Sequence, residues 1–273
     1  IGTATDSNDG QTTIEETESG KEGTVFEVID RREETVKHFR TEDGSFTAVQ
    51  YNVPVHERDE NGEWQDIDNT LSTSGSEITT SDAKIKFAKK ITGNETLFTI
   101  HNGNQKLTLS LDGATPKARG AITNNESMLD EDATELQKMT ELTKISASVK
   151  YKNILPETDL EYVIDGDTIK ENIIVKEKQE QYSYCFTMSL NNLVANLTEK
   201  GEIHIIDPQN DALIYIIPAP VMWDASMSKS DAVHLGLVFH GNGKYTLTVI
   251  ADNNWMNAED RVFPVTIDPP IYT

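Results

Sequence analysis

Apolar side chains recur along this chain with a period of two, and that periodicity narrows the architecture more than any other feature. In YSYCFTMSL, Tyr182, Tyr184, Phe186, Met188 and Leu190 fall on one face and Ser183, Cys185, Thr187 and Ser189 on the other. Successive strand side chains point to opposite sides, so this is the signature of a half-buried antiparallel sheet. SFTAVQYNVPVH repeats it with Val49, Tyr51, Val53 and Val55, and QKLTLSL with Leu107, Leu109 and Leu111; VHLGLVF and KYTLTVIA alternate in the same way. Between such runs stand Asn102-Gly103, Asp165-Gly166 and Gly241-Asn242-Gly243. These residues tolerate the positive φ of tight hairpin turns, so three hairpins are expected. The expected fold class is all-β: an antiparallel β-sandwich, as two sandwich-like halves or one large sandwich, with at most one or two short helices.

Two stretches break the pattern. Residues 1–22 hold Asp6, Asp9, Glu15, Glu16, Glu18 and Glu22 against Lys21, with little apolar surface to offset ordering, and read as a flexible acidic tail. Residues 112–144 read as an acidic linker or insert. Leu129, Leu136, Met139 and Leu142 there fit a short amphipathic helix behind a cap at Ser127. The strands then divide into a first half at 23–111 and a second at 145–268, with 269–273 as a linker to a further module.

The chain carries 24 Lys and Arg against 46 Asp and Glu, a net charge of −22 over 273 residues. Polyanions are held through Lys and Arg, so nucleic acid and anionic membranes are excluded as expected partners. The longest uncharged apolar stretch, Ala212 to Trp223, is broken by prolines and too short for the roughly 20 residues of a membrane helix, so no membrane insertion is expected. One cysteine, Cys185, permits no intrachain disulfide, and its place in a strand reads as structural.

Catalytic signatures are absent. HERDE at His56 to Glu60 lacks the second histidine of a zinc helix, and Gly241-Asn242-Gly243 lacks the third glycine of a dinucleotide loop. No serine elbow or phosphate loop occurs. The six histidines show no metal spacing. Asp66 with Asp68, Asp159 with Glu161, Glu171 and Asp224 are candidates for the two carboxyls of glycoside cleavage, with nothing in the sequence to pair them. Asp165 and Asp167, flanking Gly166, are candidate calcium ligands on a turn. Trp64, Trp223 and Trp255 stand in polar surroundings and are candidate platforms for sugar rings.

Four strings in order, GSFTAVQYNVPVHERDENGEWQDIDNTL (Gly44 to Leu71), YKNILPETDLEYVIDGDTIKENIIV (Tyr151 to Val175), GEIHIIDPQNDALIYIIPAPVMWDAS (Gly201 to Ser226) and YTLTVIADNNWMNAEDRVFPVTIDP (Tyr245 to Pro269), resemble the N-terminal region of Gram-positive wall-associated surface proteins with YD (Rhs-type) repeats. In that family the closing segment leads into a DNRLRE-type carbohydrate-binding module, then YD repeats and often a C-terminal toxin. The resemblance implies an extracellular, cell-wall-associated module whose partner is cell-wall glycan or peptidoglycan, or the downstream domains of its own polypeptide. It transfers no catalytic residue. The leading expectation is therefore a non-catalytic module that anchors or presents a long polypeptide, not an enzyme and without a cofactor. A carbohydrate-active enzyme (hydrolase or lyase) and a calcium-stabilised adhesin stand as alternatives.

Overall fold

The computed structural model describes residues 5–7, 11–13, 25–41, 43–59, 61–92 and 96–272. The tail expected at 1–22 lies outside them, apart from a paired ribbon of Thr5–Ser7 with Gln11–Thr13. Most of the remaining regular structure is antiparallel strand, about half of the residues. Among the described residues there are two short α-helices, Glu135–Thr140 and Asn253–Met256, and one 3-10 turn, Ile29–Arg31. The all-β expectation holds.

The chain forms two compact units: residues 1–68 with 125–146, and residues 69–124 with 147–273. This grouping differs from a division at 112–144. The strands from Leu71 to Leu111 share a sheet with the C-terminal strands, because Gln105–Leu111 pairs with Ser183–Asn191 over six residues. Gly120–Asn124, expected within a linker, is a strand beside Ser146–Leu155. A Cβ at Gly120 would stand 2.8 Å from Val149 and 2.9 Å from Ile78, so only glycine lets the backbone settle there. The closing residues are not a linker either: Ile271–Tyr272 pairs with Thr168–Val175, and Ile271 is buried because its apolar side chain continues the inward face.

In the larger unit an eight-stranded sheet faces an eleven-stranded one across a single core. The alternation predicts its lining: Tyr182, Tyr184, Phe186, Met188 and Leu190 are all buried, as are Leu107, Leu109 and Leu111. Phe87 and Phe98 of one sheet meet Tyr162 of the other at ring-centroid distances of 5.4 and 5.1 Å. All three expected hairpins form, with Asn102 opposite Gln105, Asp165 opposite Thr168 and Gly241 opposite Lys244. At the third, Gly243 has φ +70°, and a Cβ would approach the Leu190 carbonyl oxygen to 2.2 Å, so the turn is open to glycine alone.

The smaller unit has a three-stranded sheet, Val25–Glu27, Val36–Thr41 and Phe46–Gln50, and a hairpin of His56–Arg58 with Trp64–Asp66. Its core is Phe39, Val49, Tyr51, Val55, Ile67 and Ile145. The run toward Val55 leaves the ladder at Tyr51, whose N–H, like that of Val55, turns to the Thr35–Glu34 corner instead. The helix packs Leu136 and Met139 on this core, with Leu142 just beyond it. Its cap is Thr134 rather than Ser127: Thr134 Oγ1 accepts from Gln137 N–H and Gln137 Oε1 from Thr134 N–H, a reciprocal capping box. Ser127 instead donates to Glu141.

Candidate functional site

The outer face of the eight-stranded sheet carries a cleft of about 810 Å³ over strands Glu77–Thr80, Ile85–Ala88, Phe98–Asn102 and Gln105–Leu111. Register places its side chains. Lys86 lies opposite Thr99, and His101 opposite Lys106, while the intervening Phe87 and Ile100 point into the core. Lys89 and Lys90 follow on, and Lys90 forms a β-bridge with Arg119, brought there beside the side-chain-free Gly120. Five of the chain's 24 Lys and Arg thus line one cleft, with Glu77 the single carboxylate among its lining residues. Glu77 holds Lys86 at 3.3 Å. Lys89, Lys90, Lys106 and Arg119 have no acidic partner among the described residues. Partial desolvation, then the charges of Lys106 and Lys86, hold His101 below the ordinary histidine value. In a chain this acidic, that is a local reversal of sign.

The sequence did hold a signal for this cleft: KIKFAKK, Lys84 to Lys90, packs four lysines into seven residues without an acid. Total charge masked it. Arg119 had no such signal, since its position depends on Gly120 reaching the sheet.

A second cluster lies in the smaller unit. His56 is 1% exposed, and its Nδ1 sits 2.6 Å from the Glu33 carbonyl, which can only accept, so the proton is on Nδ1. Nε2 then faces Glu27 Oε1 at 3.4 Å and Asp66 Oδ1 at 3.6 Å. Among the described residues these three are the one group of His, Cys, Asp and Glu whose donor atoms converge, all within 4.8 Å. They could in principle hold a metal. Both carboxylates, however, are already engaged: Arg32 grips Glu27 at 2.7 and 2.9 Å and Asp66 at 2.8 Å, and Lys37 binds Asp66 at 2.5 Å. Two negative charges meet two positive ones, which describes a neutral ion-pair network rather than an ion cradle.

The residues singled out from sequence stand on separate elements. Trp64, Trp223 and Trp255 lie on a hairpin, a strand and a short helix, each half-buried. One face of two of them is taken: the Arg58 guanidinium stands 4.0 Å from the Trp64 ring centre, and that of Arg261 stands 3.6 Å from Trp255. Asp165 and Asp167 flank the hairpin turn, where Asp165 pairs with Lys170 at 3.6 Å. Asp68 pairs with Lys144 and Asp159 with Lys176. Asp224, 1% exposed, accepts from Ser226, Ser228, Val262 and Arg261. The Ser226 hydroxyl above all holds its carboxyl well below the usual range. Glu171 sits opposite Tyr162 inside the sandwich, and burial pushes it up to about 8. A second cleft of about 330 Å³ lies over Tyr182, His234, Ile250 and Asn253, with Asp252 its one carboxylate. Each cleft therefore offers one carboxyl where glycoside cleavage takes a pair.

Comparison with known proteins finds relatives along most of the chain. Over 260 residues, 91% of this chain, it is 28% identical to the tRNA3(Ser)-specific nuclease WapA of Bacillus spizizenii and 27% identical to the tRNA nuclease WapA of Bacillus subtilis (strain 168). The chain spans 10% of the length of those relatives. With the Wall-associated protein of Geobacillus stearothermophilus the identity is 22% over 209 residues, 74% of this chain and 76% of that protein. No protein-family model matches, and no solved structure does. The similarity to a wall-associated protein supports a cell-surface module, and no helix among the described residues is long and apolar enough to cross a membrane.

One expectation is overturned. The absence of catalytic motifs argued against an enzyme, yet the relatives that match over 91% of the chain are named as tRNA nucleases. Those names also remove the ground for excluding nucleic acid from the partners of such a polypeptide. Net charge is an average, and it does not describe the one face where five of the 24 basic residues meet.

Proposed function

We propose that this chain is a cell-surface segment of a long wall-associated polypeptide, which it presents at the cell wall through contact with wall glycan. The polypeptide continues into a DNRLRE-type module and YD (Rhs-type) repeats, and it carries the tRNA-cleaving activity named for the WapA relatives. The observation that supports this most is the alignment with a wall-associated protein over three-quarters of both chains, 74% of this one and 76% of the other. An all-β body with two clefts open to solvent suits a surface setting.

The test is sedimentation with purified Gram-positive cell walls. The full chain is expected to pellet with walls and to stay in solution without them, and a chain that remains in the supernatant at physiological salt overturns the wall reading. For the activity, the full-length gene product is incubated with tRNA, and intact tRNA after incubation removes the nuclease part alone.

A further inference from the structure

The cleft floored by Thr99 is built in a way that stability does not explain. Lys90 and Arg119 are bridge partners, and like charges directly opposite each other in a sheet are destabilising. Opposite charge is abundant, with 46 acids in the chain, yet Lys89, Lys90, Lys106 and Arg119 meet none of them among the described residues. Lys106 and Lys86 act together on His101, so their charges converge on one space. Such a set is costly when empty and favourable when an anion enters.

We infer that this cleft binds a polyanionic wall polymer, an extended glycan or polyol chain bearing phosphate or carboxylate groups, through Lys86, Lys89, Lys90, Lys106 and Arg119. The inference rests on the wall reading above and names the ligand chemistry of that contact. The floor favours such a chain over RNA. Single-stranded nucleic acid is held by stacking successive bases on exposed aromatic rings, whereas of the rings lining this cleft Phe87 is 1% exposed and His101 offers a single half-buried imidazole.

The experiment measures binding of the full chain to four labelled probes: poly(glycerol phosphate), a polyuronate, neutral dextran and single-stranded polyuridylate. Binding to one or both of the first two is expected, with dextran unbound. Four released counterions give a loss in affinity on the order of 50-fold between 50 and 200 mM salt. The triple variant Lys89→Gln, Lys90→Gln, Arg119→Gln is expected to lose at least about 30-fold by the same ion counting. It should melt about 1 °C higher than the parent, since it relieves the Lys90–Arg119 repulsion. Glu77→Gln frees Lys86 and is expected to tighten binding severalfold, a gain that misfolding cannot mimic. An unchanged triple variant, equal binding of dextran, or tighter binding of polyuridylate than of the wall-type polymers overturns the inference. If the parent pellets with walls and the triple variant pellets equally, the cleft assignment fails and the wall reading stands. If the parent binds poly(glycerol phosphate) and ignores walls, the wall reading fails at its own step.

Discussion

The two units of this molecule are held together by different physics. The larger one buries a continuous apolar layer between two sheets, with Phe87, Phe98 and Tyr162 within 5.4 Å of one another at its centre. Its surface charges are then free to serve something other than folding, as the unpaired cations of the outer cleft show. Among the described residues the smaller unit has six buried apolar residues, and beside them it holds the Arg32 ion-pair network. The larger unit also holds a buried pair, Asp224 with Arg261, but its core closes without it, and four cations of the outer cleft stay without a carboxylate among the described residues.

The largest way to break this contrast is through the cores. Phe98→Ala removes a fully buried ring that stacks on Tyr162 at 13° between planes, and should cost about 4 kcal/mol in the larger unit, read by denaturant unfolding. Phe39→Ala, in a core of six, should leave the smaller unit without a cooperative transition altogether, visible as loss of amide protection in its three strands. Retention of a sharp transition after Phe39→Ala would mean that the ion pairs carry more of that unit than the apolar cluster does.

A smaller effect, and opposite in sign to ordinary acid denaturation, is expected from Glu171. Its folded value near 8 lies above the ordinary 4.5, so the folded state keeps a proton that the unfolded state releases. Stability from this group is complete at low pH and declines as pH rises through that window, by roughly 3 kcal/mol between about pH 5 and pH 8. Asp268, raised to about 6 by burial, adds to the decline at its lower end. Glu171→Gln should flatten this part of the stability profile and raise the melting temperature near pH 8 more than near pH 5. An identical pH profile for parent and variant would show that Glu171 is not the group responsible.

How far these features were legible depends on whether each is local in the chain. Alternation along Tyr182 to Leu190 and the glycine turns report local geometry, and strands and hairpins are local, so both appear in the sequence. Which strands share a sheet is not local. Gln105–Leu111 pairs with Ser183–Asn191, some 80 positions away, and nothing in either string names the other. The same holds for sites. KIKFAKK was visible as a basic run, but its conversion into a cleft needed Arg119 from another segment and the absence of a side chain at Gly120. Single residues chosen by type, Trp64, Trp223 and Trp255 among them, carried no information about which element each would stand on: a hairpin, a strand and a short helix.

The finest test concerns Arg32, whose side chain is 8% exposed and bridges Glu27, Asp66 and the Trp64 carbonyl. Loss of the guanidinium leaves Glu27, 15% exposed, without the charge-assisted partner that grips both of its oxygens. Arg32→Met keeps the aliphatic stem, so the change reads charge rather than packing. Asp66 is 45% exposed and keeps Lys37, so solvent screening limits the loss to about 2 kcal/mol, below the value for a fully buried pair. Arg32→Lys restores a single cation without the planar fork, so its stability should fall between those of the parent and Arg32→Met when both variants are unfolded by denaturant. A loss in Arg32→Met that is largely reversed by Arg32→Lys identifies the network as electrostatic, whereas equal losses in the two variants would show that the shape of the guanidinium, and not its charge, holds this corner together.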